Sequence, residues 1–66
     1  QPGYQWGAGL RDNNLAWADF LPYLEQYLLL ASPNAQWAFR QGFAKGYGGN
    51  GAETYDRAFR QASRPG

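Results

Sequence analysis

Residues 32–51 read SPNAQWAFRQGFAKGYGGNG, a stretch that holds a helix start, a helix body and a helix stop in order. Ser32 is placed to cap a helix with its side-chain oxygen, and Pro33 follows at the first helical position, where a missing N–H removes nothing the helix needs. Phe39, Phe43 and Tyr47 then recur at fours, beside a second row of small residues, Ala38, Gly42 and Gly46, at the same spacing. Each interior glycine costs about 1 kcal/mol against alanine. Close approach of another backbone offsets that cost, and small residues at fours are a mark of tight helix crossing. Gly48-Gly49-Asn50-Gly51 supplies the positive φ angles of a helix end and a chain reversal. It is not a phosphate loop, because neither a Lys-Ser/Thr continuation nor a preceding strand accompanies it. The spacing predicts a helix over 33–47.

Toward the C-terminus, Asn50 with Glu53 has the form of a capping box and opens a helix over 51–63, with Ala52, Tyr55, Phe59 and Ala62 as its apolar stripe. Glu53 with Arg57 and Asp56 with Arg60 have the spacing of exposed ion pairs, each worth roughly a few tenths of a kcal/mol. Ala38-Phe39-Arg40-Gln41 returns as Ala58-Phe59-Arg60-Gln61. The echo is too short for a repeat array, but it gives the last two helices similar faces.

Toward the N-terminus, Asp12-Asn13-Asn14 reads as the cap of a helical segment over 12–31, apolar at Trp17, Phe20, Leu21, Leu24, Tyr27, Leu28 and Ala31. Pro22 kinks this segment or restarts it, with Asp19 as the new cap in the second case. Tyr23, Leu29 and Leu30 fall off the main stripe, so the segment is apolar on most sides, and a helix of that kind is buried on most sides. Its second face meets either another molecule or the N-terminal residues. Residues 1–11, QPGYQWGAGLR, hold three Gly and one Pro without an apolar period and read as an irregular aromatic arm. Tyr4, Trp6 and Leu10 are too apolar for a solvated tail. The arm therefore tucks onto the helices or reaches a neighbouring molecule.

The 66-residue chain has no Val, Ile, Cys, His or Met, and Thr54 is its one β-branched residue. Strands rely on β-branched packing, whereas Ala, Leu, Gln, Arg and Glu favour helix, so the expected fold is all-α: one domain, a small bundle of three to four helices with an irregular aromatic N-terminal arm. A domain of this size buries only about 60% of its unfolded surface and is marginal without a disulfide, a metal or a partner. Lack of Cys and His removes disulfides and the usual zinc site, so neither a metal nor a cofactor is expected. Aromatic packing or oligomerisation remains. Aromatics make up 18% of the chain, and they serve as core or as an exposed contact surface.

The net charge is +1, with six cations interleaved among five acids, which argues against nucleic acid as a partner. No apolar run approaches the length of a membrane span. A chain that starts at Gln1 and has no Met is a processed protein or an excised piece; export, to an extracellular or periplasmic setting, is the expectation that suits a processed cysteine-free chain. Catalysis is not expected, since Ser32 and Ser63 have no His to activate them and the acids already fit as caps or ion-pair partners.

These readings lead to a non-catalytic helical subunit for protein–protein interaction or self-assembly, whether an oligomer or a filament, with a protein partner or a copy of itself. The candidate interface is Tyr4, Trp6, Tyr23, Leu29 and Leu30, with Gly42 and Gly46 setting a close helix contact. The alternative is a monomeric helical domain that stacks a sugar or small apolar ligand on Trp17, Trp37 and Tyr47, and its distinguishing feature is two or more Trp rings exposed together.

Overall fold

A chain nearly free of β-branched residues folds without strands among the described residues. The computed structural model describes residues 2–63 and contains four helices in chain order, α1 (Pro2–Arg11), α2 (Trp17–Leu30), α3 (Pro33–Tyr47) and α4 (Gly51–Ala62). The radius of gyration, 10.7 Å, is that of a close-packed chain of this length, about 11 Å.

α3 is the spine. The Ser32 side chain accepts from the Ala35 N–H at 3.1 Å, and Pro33 opens the first turn. Gly48 ends the helix at φ 77°, Gly49 follows at φ 46°, and the chain reverses into α4. Asn50 makes no side-chain capping bond, so no capping box forms with Glu53.

The N-terminal arm is the main departure from the sequence reading. Residues 2–11 form a helix, α1, and it packs along α3 more intimately than any other helix pair packs. Its glycines explain how. A Cβ placed on Gly3 would run into the Phe39 carbonyl, and one on Gly7 into the Phe43 carbonyl and within 2.9 Å of the Tyr47 nitrogen. From the other side, a Cβ on Gly46 would run into the Tyr4 carbonyl and within 2.9 Å of the Ala8 nitrogen. Partner numbers rise together, so α1 and α3 run parallel, with backbone against backbone. A ten-residue, glycine-rich helix is not stable alone; the contact with α3 supplies what local propensity lacks. Gly46 therefore meets a helix of its own chain, and Gly42 is buried beside it.

Asp12-Asn13-Asn14 closes α1 instead of opening α2. Asn14 N–H donates to Gly9 O at 2.8 Å and Asn13 N–H to Leu10 O at 3.3 Å, with Asn13 left-handed at φ 63°. This is the Schellman ending, with Asn in the place Gly usually fills. α2 begins five residues past Asp12, at Trp17, with Ala16 as an extended N-cap that makes no side-chain bond. The helix is one segment through Pro22, and Asp19 sits in its first turn, not at a restart. Ala18 and Pro22 are both exposed, so the Ala18 carbonyl that proline leaves without a donor faces water.

α2 covers the α1–α3 pair with rings. Phe20, fully buried, lies 5.0 Å from Trp6 of α1 and 5.3 Å and 6.4 Å from Phe43 and Phe39 of α3, between ring centroids. Tyr55 of α4 closes the other side, 5.5 Å from Phe43 and 6.0 Å from Phe39. Leu10, Leu24 and Ala58 complete the buried core. Glycines hold one helix pair close, and aromatic rings fill the wider gaps.

Candidate functional site

Core formation accounts for some of the residues expected at an interface and leaves others uncovered. Trp6 is half-buried between Phe20 and Tyr23, whose centroids lie 5.0 Å and 5.2 Å away. Tyr4 and Tyr23 are partly exposed, and Tyr23 stacks on Tyr27 at 6.2 Å. Leu29 and Leu30 differ from all of these: 75% and 90% of their surfaces remain open. They stand at the C-terminal end of α2, where the Ala31-Ser32 link turns the chain into α3.

Beside them lies a cleft of about 500 Å³ between α2 and α4, lined by Glu25, Leu28, Leu29, Gln36, Phe59 and Ala62. Gln36 and Phe59 also line a second hollow, of about 310 Å³, which continues across α3 and α4 beneath Trp37 and beside Pro33. The two share Gln36 and Phe59 and make one trough, with Leu29 on its wall and Leu30, 90% exposed, outside its lining. Both α3 and α4 contribute through the recurring Phe-Arg-Gln segment, Phe59 from the second copy and Arg40 from the first.

The far wall of the trough is polar and internally matched. Arg40 grips Asp56 in a two-point ion pair, Nε to Oδ1 at 2.8 Å and Nη2 to Oδ2 at 3.0 Å. Its guanidinium also sits over the Trp37 ring, 5.1 Å from the centroid. The bond from Arg40 holds the Asp56 carboxyl below the usual carboxylate range, and Arg60 adds to that effect. Sequence spacing paired Asp56 with Arg60; the observed ion pair runs across helices to Arg40. Among the described residues Arg11 and Asp12 form the other ion pair, at 2.8 Å, with Arg11 Nη1 donating to the Gly46 carbonyl.

Tyr55, 2% exposed, lines the floor of the second hollow, and its hydroxyl has no hydrogen-bond partner. Burial pushes its pKa from 10.0 up to about 12. The folded state favours the neutral phenol, so this contribution is complete below pH 10 and disappears as pH rises toward 12. The loss comes to roughly 2–3 kcal/mol. Tyr55→Phe is expected to flatten that alkaline decline and, by removing an orphaned hydroxyl, to raise stability at neutral pH by about 1 kcal/mol. Urea denaturation at neutral pH and across the alkaline range measures both effects.

The three indoles do not form one exposed set. Trp6 and Trp17 both pack on Phe20, while Trp37 stands on the α3–α4 side with Arg40. Trp17 and Tyr47 do share a hollow of about 370 Å³ with Asn50, Thr54, Arg57 and Gln61. Among the described residues no cluster of three or more His, Cys, Asp or Glu is placed to hold a metal, and no helix is long and apolar enough to cross a membrane. Comparison with protein families, curated proteins and solved structures finds no match to this chain, so the reading of its surface rests on its own geometry.

Proposed function

We propose that this protein is a non-catalytic helical association module whose working surface is the apolar end formed by the last turns of α2 and the trough beside them. The observation that carries the reading is the exposure of Leu29 and Leu30, 75% and 90%, at the end of α2, where Leu29 joins Leu28, Phe59 and Ala62 in lining a cleft. Fully burying a leucine is worth about 1.5–3 kcal/mol, so two left open beside an apolar trough form a surface that gains most from being covered. An aromatic and arginine flank, Trp37 with Arg40, supplies the side-chain types that dominate contact energies.

The Gly42 and Gly46 row takes no part in this surface, since it is buried within the chain. A second reading, a ligand stacked on Trp17 and Tyr47, draws on their shared hollow and its four polar side chains. The association reading is preferred because the stacking surface lacks a second exposed indole.

The test is a photoreactive phenylalanine analogue at position 30, irradiated in the cells that make the protein. A discrete covalent adduct is expected from position 30, and little or none from the same analogue at Lys45, an exposed residue on α3 away from the trough. Equal yields from the two positions, or no adduct from position 30, would reject the surface.

A further inference from the structure

We infer that the hollow framed by the start of α2, the end of α3 and one flank of α4 binds a saccharide that carries a carboxylate, with a sugar ring on Trp17 and the carboxylate on Arg57. This takes up the second reading of the surface, as a site beside the association end and independent of it: no residue lining this hollow also lines the trough.

A helix face turned toward a neighbouring helix is ordinarily apolar. The flank of α4 toward Trp17 and Leu21 instead carries Asn50, Thr54, Arg57 and Gln61, at the three-and-four spacing of one face, and all four line the hollow of about 370 Å³. None of these side chains has a hydrogen-bond partner among the described residues. Nor does Arg57 form the ion pair with Glu53 that their spacing suggests; the ion pairs among the described residues are Arg11–Asp12 and Arg40–Asp56. The fold leaves this polar row free for a ligand.

The opposite wall is aromatic and already fixed. Trp17 meets Phe20 edge-on, 5.7 Å between centroids, and keeps 37% of its surface open. Tyr47 stacks on Phe43 at 5.7 Å. Core packing orients both rings before a ligand arrives, which lowers the ordering cost of binding.

Together the walls ask for a ligand with an apolar face and acceptors spread along one edge. A sugar ring has both: its face is made of C–H bonds, whose slight positive charge suits the electron-rich face of an indole, and its rim carries hydroxyls. The polar row extends about 16 Å along α4, so an aromatic acid, polar at one end only, would leave most of it unused. Charge adds the carboxylate. The Arg57 guanidinium is a planar fork of donors that matches a carboxylate at two points, and no Asp or Glu lines the hollow to repel an anion.

Amide and indole N–H spectra of the full chain test the proposal, titrated with dimers of galacturonate, of mannuronate, and of glucuronate with N-acetylglucosamine. At least one dimer should saturably shift the Trp17 indole N–H together with the amides of Thr54, Arg57 and Gln61, leaving Trp37 and Leu30 unmoved. The methyl ester of that dimer should bind about tenfold or more weakly. Arg57→Gln, at an exposed position, should abolish the difference between acid and ester while far-UV circular dichroism stays unchanged. No saturable shift at Trp17 from any of the three overturns the site. Equal affinity for acid and ester in the parent protein overturns the carboxylate, and benzoate binding as tightly as the dimer overturns the saccharide. Every one of these outcomes leaves the crosslinking test at position 30 standing, so the two readings fail separately.

Discussion

A Gly7→Leu variant is expected to lose at least about 3 kcal/mol of stability, enough to leave α1 detached or the whole chain unfolded. Overpacking a well-filled site typically costs about 1–3 kcal/mol, mostly where neighbouring side chains can shift. Here the first added carbon already meets the Phe43 carbonyl and the Tyr47 nitrogen, which are backbone atoms of α3 and cannot turn aside. The whole stability of a chain this long is only about 3–10 kcal/mol. Gly9 gives the contrast. A Cβ there meets the side chain of Leu15, which is 38% exposed and free to rotate away. Gly9→Ala, helped by alanine's better helix propensity, should stay within about 1 kcal/mol of the parent. Urea denaturation followed by circular dichroism reads both, and a fully stable Gly7→Leu protein would show that α1 is not held by backbone contact.

Phe20→Ala is the second large effect. Truncating a buried phenylalanine costs about 3–5 kcal/mol, and this ring, 0% exposed, touches Trp6, Trp17, Phe39 and Phe43 from three helices. It is the point at which α2 joins the α1–α3 pair, so its loss should separate those elements and collapse the thermal transition. The variant should therefore show no cooperative melt, or one at far lower temperature.

The two variants also show which parts of this architecture were legible from residues alone. The α3 helix could be read because its start, stop and both four-residue rows agree with one another, and no local signal opposes them. Gly46 does meet another helix at close range, but that helix is α1 of the same chain. Gly3 and Gly7 repeat the same spacing. In α1, however, propensity argues against helix, and only the contact with α3 reverses that balance, so a reading of local signals finds an arm. Asp12-Asn13-Asn14 misled for a related reason: short polar residues serve at either end of a helix, and only the left-handed Asn13 shows which end this is.

The surface divides in the same way. Leu29 and Leu30 fall outside the α2 stripe, which leaves either another molecule or the N-terminal residues to cover them, and only the structure shows that α1 does not. Trp6 was not legible, because its place between Phe20 and Tyr23 depends on α1 being a helix. The Arg40–Asp56 pair is not legible in the spacing, because Arg60 stands four residues from Asp56 and only helix packing brings Arg40 to it.

The central claim is that one end of this molecule is built for contact and the packed core holds that end in place. Backbone amide spectra recorded from micromolar to millimolar protein test it residue by residue. The account predicts concentration-dependent shifts confined to the last turns of α2, the start of α3 and the outer face of α4, around Leu28–Leu30, Trp37 and Phe59–Ala62, with Gly3, Gly7 and Gly46 unmoved. Shifts centred on α1 would contradict it, whereas spectra that do not change with concentration would exclude only a second copy as what covers this end.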